Sequence, residues 1–304
     1  MNSTKSIVVG SRGSRLARAQ AESVINELKK AHPFLKIDLV TIKTTGDSHK
    51  QTSLDVLGGE GVFVKELEDA LLQNRIDIAV HSAKDMPTII PEGLQLTAST
   101  GRADPRDVLI SRSGKLIGLP SGAVIGTGSQ RRAVQLKERR SDLQIKGLRG
   151  NIDTRLEKVS SGELDGIVIA AAALMRLGWE DKITEYLDFV PAVGQGALGI
   201  ETRSNDYRIL EIIEPINDIP TYRSIIAERA FLRALGGGCR APIAALAEAH
   251  NNDINLRGMV ADPEGNAILH AKTDGNTSDP KTVGTELAQK MIEMGAAELI
   301  KGAN

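Results

Sequence analysis

AVIGTGSQRRAVQLKER, residues 123–139, changes its periodicity in the middle. AVIGTG is an apolar run of strand length, and SQRRAVQLKER repeats its apolar positions at helical spacing. The handover falls on Gly126, Gly128 and Ser129, so a buried strand passes directly into a helix. The same handover recurs along the chain. SIVVG (6–10) precedes a helix from about Ser14 to Lys30, and KIDLVTIK (36–43) reads as the next strand. VFVKELEDALLQN is an amphipathic helix, and DIAVHS (77–82) is a buried strand ended by a turn that Pro87 keeps from becoming a helix. DVLISR and LQIKGL are strands, NIDTRLEKVSSG is a helix with Asn151 as N-cap, and DGIVIAAAA is a strand. Strands alternating with helices define an α/β architecture.

This alternation divides the chain. A first α/β lobe is expected from residues 1–99 with 197–216, and a second from 100–196. PAVGQGALGIETR (191–203) carries the chain back to the first lobe. From about residue 218 the pattern changes to a helix (220–235), three alternating runs near 241–249, 254–261 and 266–273, and a closing helix (279–300). Residues 217–304 therefore form a smaller α+β domain. A length of 304 residues is too great for one ordinary core, which agrees with this division. No internal sequence repeat is visible.

Composition narrows the function. Charged residues make up 25% and hydrophobic residues 41%, as in ordinary globular proteins. Aromatics are only 3% and the net charge is −1, which argues against a nucleic-acid partner. No run approaches the roughly 18–20 apolar residues of a membrane span. The N-terminal residues lack the apolar core of a signal peptide, and a single cysteine cannot make an internal disulfide, so a cytoplasmic location is expected.

Charge is uneven locally. Residues 131–155 hold eight Lys or Arg against three acids, and the arginines sit at two strand-to-helix corners, GTGSQRR (126–132) and LRGNIDTR (148–155). Thr127, Ser129, Arg131, Arg132, Arg149 and Arg155 can therefore converge on one anion site, because guanidinium groups suit bidentate binding of carboxylates. A solvated helix face with surface ion pairs is the plainer explanation of the charge run alone. Two further corners carry chemistry. VGSRGSRLA (9–17) places Arg12 and Ser14 where a strand hands over to a helix, and AVHSAKDMP (79–87) places Lys84 and Asp85 after a buried strand. A carboxylate at that mouth can act in proton transfer or stabilise a cation, whereas a surface ion pair there would contribute little. His81, inside the strand, reads as a core histidine.

The one cysteine, Cys239, follows Gly236, Gly237 and Gly238 in LGGGCRAP (235–242). It has no neighbours at metal-ligand spacing, and no metal is expected. A lone cysteine is usually a small buried hydrophobe. Here the glycines let the backbone approach a bulky group closely, so an attached group is the alternative.

Nine segments in this order, GSRGSRLA, GVFVKELEDALL, DIAVHSAKDMP, DPRDVLIS, GTGSQRR, LRGNIDTRL, AAAALMRLG, PAVGQGALGIE and GGGCRAPIA, resemble the porphobilinogen deaminase (hydroxymethylbilane synthase) family over nearly the whole chain. The resemblance implies two lobes folded like type II periplasmic binding proteins plus a small C-terminal α+β domain. It implies a transferase of tetrapyrrole (haem) biosynthesis that joins four porphobilinogen molecules with loss of ammonia to give linear 1-hydroxymethylbilane. A dipyrromethane cofactor is implied, bound as a thioether to Cys239. Lys84, Asp85, Thr127, Ser129, Arg131, Arg132, Arg149 and Arg155 are then cofactor-binding. Arg12, Ser14, Arg176 and Gln195 are substrate-binding, and Asp85 is catalytic. The family suggests a monomer. One departure lies in the 44–61 loop, where Glu60 stands in place of a frequent family lysine. A two-lobed solute-binding protein without chemistry is the competing expectation. It leaves the third domain and the glycine-flanked thiol unexplained.

Overall fold

A computed structural model describes residues 6–44, 64–236 and 241–301. In chain order, β1 (Ile7–Arg12), α1 (Arg15–Ala31), β2 (Ile37–Ile42), α2 (Lys65–Leu72), β3 (Ile78–Ser82) and β4 (Leu94–Ser99) come first. They are followed by β5 (Asp107–Ser111), β6 (Val124–Gly126), α3 (Gln130–Arg139), β7 (Gln144–Lys146), α4 (Ile152–Ser160), β8 (Gly166–Ala170), α5 (Ala171–Met175) and β9 (Glu185–Leu187). The rest comprises β10 (Leu198–Arg203), α6 (Tyr207–Ile213), α7 (Ile219–Ala234), β11 (Ile243–His250), β12 (Asp253–Ala261), β13 (Ile268–Asn276), α8 (Pro280–Glu293) and α9 (Ala296–Lys301).

The chain divides into two compact units: Met1–Arg102 with Ala197–Tyr222, and Ala103–Gly196 with Arg223–Asn304. The first holds a five-stranded sheet in the order β2-β1-β3-β10-β4. Strands β1, β2 and β3 are parallel, and β10 runs antiparallel between β3 and β4. Helix α1 covers this sheet with Ala17, Gln20, Ala21, Val24, Ile25 and Leu28, the three- and four-residue spacing of a helix face. Its apolar side chains join Ile7, Val9, Ile78, Val80, Leu198 and Ile200 in one core. Each such buried aliphatic side chain contributes roughly 1.5–3 kcal/mol.

The second unit repeats this plan without repeating the sequence. Its sheet has the order β7-β6-β8-β5-β9, with β6, β7 and β8 parallel and β5 antiparallel between β8 and β9. The run DGIVIAAAA does not stay extended as expected. Strand β8 stops at Ala170 and the alanines beyond begin α5, in keeping with alanine's preference for helix once the ladder ends.

The C-terminal part is an antiparallel meander, β11-β12-β13, with its own core. Phe231 and Leu232 of α7 and Val283, Leu287 and Met291 of α8 pack there with Ile254, Leu256 and Val260 of the sheet. The expected single closing helix is two. Gly295, at φ 100°, takes a left-handed conformation that glycine adopts without steric cost, and this stops α8 before α9 begins.

Candidate active site

In an open α/β sheet, ligands bind beyond the carboxyl ends of the parallel strands. In the first unit, β1 and β3 are neighbours in register, Val9 opposite Ile78 and Gly10 opposite Ala79, so their ends project at one edge. Arg12 closes β1 and is half-buried. Ser14 is the N-cap of α1, its Oγ accepting from the Ala17 N–H at 3.2 Å. Ser11 is buried and donates to the Ala17 carbonyl at 3.0 Å, which fixes the same corner.

At the end of β3, Lys84 and Asp85 lie in one 3-10 turn, Ala83–Asp85, and both are half-buried. The turn is held at three points. Ala83 N donates to Ala197 O at 3.0 Å, Met86 N donates to Ala83 O at 3.3 Å, and the buried Gln20 of α1 donates from Nε2 to Ser82 Oγ at 2.8 Å. The Asp85 carboxylate has no hydrogen bond or ion pair among the described residues. Arg12, Ser14, Lys84 and Asp85 are thus brought to one edge of one sheet.

In the second unit the corners after β6, β7 and β8 form the corresponding edge. Thr127 is buried and accepts from Ser129 N at 3.2 Å. Ser129 is the N-cap residue of α3, yet its hydroxyl makes no capping bond. Arg149 is exposed and has no partner among the described residues. Arg155 is half-buried and donates from Nε to Gly150 O at 3.0 Å. Asn151 caps α4 as expected, accepting from Thr154 N at 2.9 Å. Arg176 closes the series after α5. It donates to Gly196 O at 2.6 Å, has no carboxylate partner among the described residues, and is pushed down to about 10 by loss of water.

Arg131 and Arg132 are placed differently from the other arginines. Both are buried on Asp107, the first residue of β5. Arg131 donates to Asp107 Oδ2 at 2.7 Å, and Arg132 donates from Nε to Asp107 Oδ1 at 2.9 Å. Gln195, also buried, donates to Pro105 O at 2.7 Å and to Asp107 Oδ1 at 2.9 Å, and accepts from Arg132 at 3.3 Å. Burial alone would raise the Asp107 carboxyl, but the two guanidinium charges overcome it and hold the group well below its ordinary value. Two guanidiniums on one carboxylate leave one positive charge that it does not neutralise.

Much of the basic excess between 131 and 155 is answered locally. Besides Asp107, Arg140 pairs with Asp142 at 2.7 Å and Lys146 with Glu163 at 3.2 Å. Two buried acids that fix the site's framework escaped the sequence reading. Asp107 stands at the head of an otherwise apolar run, and Glu228 lies in α7 between Ala227 and Arg229. Glu228 takes the N–H groups of Gly194, at 2.6 Å, and Ala247, at 2.8 Å, and so holds the 191–196 segment that carries Gln195. A charged residue heading a buried run is the signal that could have found Asp107; Glu228, beside Arg229, carries no such signal. Cys239 and Glu60 lie outside the described residues.

Among the described residues, Arg149 and Arg176 have no protein carboxylate and the Ser129 hydroxyl is not used for capping, so a polycarboxylate ligand fits this donor set. A porphobilinogen deaminase family described as the dipyromethane cofactor binding domain matches residues 7–211, and its C-terminal domain matches residues 222–293. A protein of Alkaliphilus metalliredigens called Porphobilinogen deaminase is 46% identical over 304 residues, 99% of this chain and 96% of that one. One of the same name from Bacillus cereus is 47% identical over 306 residues, covering 99% and 98%. Among the described residues, no helix is long and apolar enough to cross a membrane.

Proposed function

The chain belongs to the porphobilinogen deaminase family, and from that premise we propose how its residues divide the work. It is a transferase that condenses four porphobilinogen molecules into linear 1-hydroxymethylbilane with a dipyrromethane cofactor. When bound, the dipyrromethane supplies the pyrrole carbon on which the chain grows. The thiol of Cys239 is its anchor, through a thioether. Each cycle breaks the aminomethyl C–N bond of one porphobilinogen and releases ammonia. A C–C bond forms in its place, and the attacked carbon gives up a proton.

Asp85 is the group that serves this exchange. As ammonia leaves, positive charge spreads over the substrate pyrrole, and a carboxylate fixed beside it lowers the barrier. The same oxygens can hold the proton that the attacked carbon gives up. Lys84, Thr127, Ser129, Arg149 and Arg155 hold the cofactor carboxylates. Arg131 and Arg132 contribute the charge left over from Asp107. Arg12, Ser14 and Arg176 receive the incoming substrate, whose acetate and propionate need cations. Gln195, expected among them, is buried with its amide committed to Pro105, Asp107 and Arg132, and serves by holding that framework. Residues 1–99 with 197–216, 100–196 and 217–304 form the three domains that carry these parts. A monomer without a nucleic-acid partner is in keeping with the family and with a net charge of −1, and a single cysteine, which can form no internal disulfide, suits the cytoplasm.

The observation that carries this reading is Asp85, a half-buried carboxylate at the end of a buried strand with no partner among the described residues. Intact-mass measurement of purified protein tests it. A covalent adduct of two linked pyrroles is expected, lost in Cys239→Ser, with stepwise increments after porphobilinogen is added. The plain polypeptide mass in active enzyme would sink it.

A further inference from the structure

The first unit contains a buried cluster of ionisable side chains that the reaction above does not use. Glu68 of α2, His81 of β3 and Glu201 of β10 all lie in the interior. His81 Nε2 is 3.0 Å from Glu201 Oε2. Across the ladder His81 faces Gly199, and Glu201 is two residues further along β10, so the two side chains form a diagonal pair on one face of the sheet. Helix α2 packs on β3 and β10. Two carboxylate oxygens, Glu68 Oε1 and Glu201 Oε1, are buried with no hydrogen-bond partner among the described residues.

Such a cluster is a poor way to fill a core, since apolar side chains of similar volume are often neutral or stabilising in its place. Its position in the chain indicates what it serves. From His81, β3 runs through Ser82 into the Ala83–Asp85 turn, and the Ala83–Ala197 bond continues the β3–β10 register into that turn. The arrangement fixed at His81 is therefore handed directly to Lys84 and Asp85.

We propose that the buried His81–Glu201 pair, with Glu68 of α2 packed over it, acts as a positioning unit for Lys84 and Asp85, locking the β3–β10 register from which their turn departs. The proposal rests on the catalytic reading of Asp85. The charges that act on Glu68 are those of Glu201 from β10, His81 from β3 and Asp69 on its own helix. Burial first, then the Glu201 charge, pushes the Glu68 carboxyl up to about 7, with His81 opposing. A proton held there spares the interior two ionised carboxylates side by side.

Full-length holoenzymes carrying His81→Gln, His81→Leu and Glu68→Gln test this, with Asp85→Asn as reference. His81→Gln keeps an N–H for Glu201 and should hold kcat within about threefold. His81→Leu strands Glu201 and should lower kcat about 10- to 100-fold with KM little changed, as for a misplaced catalytic group. A folded His81→Leu enzyme with unchanged kcat, or with only KM altered, overturns the proposal. The imidazole 15N resonances of His81, identified by their loss in His81→Gln, report the proton without turnover. Glu68→Gln should shift these resonances, and unmoved resonances overturn the proposal even where His81→Leu fails to fold. Near-full turnover by Asp85→Asn would instead defeat the reading of Asp85, so the two failures are read in different experiments.

Discussion

Gln195 Nε2 lies 2.9 Å from Asp107 Oδ1, joining the 191–196 segment to the carboxylate that also receives Arg131 and Arg132. Asp107→Asn keeps the shape but leaves two buried guanidiniums without a countercharge, a loss of about 3–5 kcal/mol. Denaturant unfolding should show it as a lower midpoint. The Asp107 carboxyl is held below its ordinary value of 3.8, so its contribution is complete above that pH and is lost as pH falls through the depressed folded value. The gap between wild type and Asp107→Asn should therefore be full at neutral pH and close only in strong acid. A gap that stays constant down to pH values well below 3.8 would contradict the ion-pair account.

Asp85→Asn should reduce kcat by about 100-fold or more, since it removes both the charge and the proton acceptor. Asp85→Glu keeps the charge but displaces it by a methylene, and should be less damaging. In both variants the adduct mass should persist, which separates a lost reaction from a lost cofactor. Steady-state product formation and intact mass measure the two effects on one preparation.

Ser14 and Ser129 are N-cap residues of the same type, and the structure gives them different tasks. The Ser14 oxygen accepts the Ala17 N–H, so Ser14→Ala should cost about 1 kcal/mol of stability in addition to weakening substrate binding. Ser129 makes no capping bond, so Ser129→Ala should change stability by only about 0.5 kcal/mol or less and act on ligand carboxylates instead. Paired unfolding curves decide this, and equal losses would refute the division.

Glu68 also has a signature in stability. Its carboxyl is raised from 4.5 to about 7 in the folded protein, so the folded state binds an extra proton between those values. Stability contributed by that proton is full below 4.5 and is lost as pH rises toward 7. Glu68→Gln cannot ionise, so its melting temperature relative to wild type should climb from pH 5 to pH 8, by an amount on the order of a few degrees. A flat difference would show that Glu68 is ionised throughout.

The parts of this molecule legible in its sequence are those set by local rules. SIVVG and DIAVHS announce buried strands by their run of apolar residues, and Asn151 announces a helix start by its side chain. The candidate corners follow, because each lies where such a strand ends. What stayed hidden depends on partners far away in the chain. Nothing near Asp107 says that Arg131 and Arg132 will close on it, and nothing in LGIETR says that Glu201 will meet His81, 120 residues earlier. Strand β9 has three residues, too few to show a period. The common strand order of the two sheets is equally invisible, since topology can repeat while side chains diverge.

Strand β10 sits in the middle of the first sheet but is made of residues 198–203. During synthesis, the amino-terminal residues must therefore wait with the edges of β3 and β4 unpaired until nearly a hundred further residues have left the ribosome. The second sheet draws all its strands from one continuous stretch and can close first. A nascent chain stalled before Leu198 would expose open strand edges, the kind of surface that chaperones bind and that aggregation recruits.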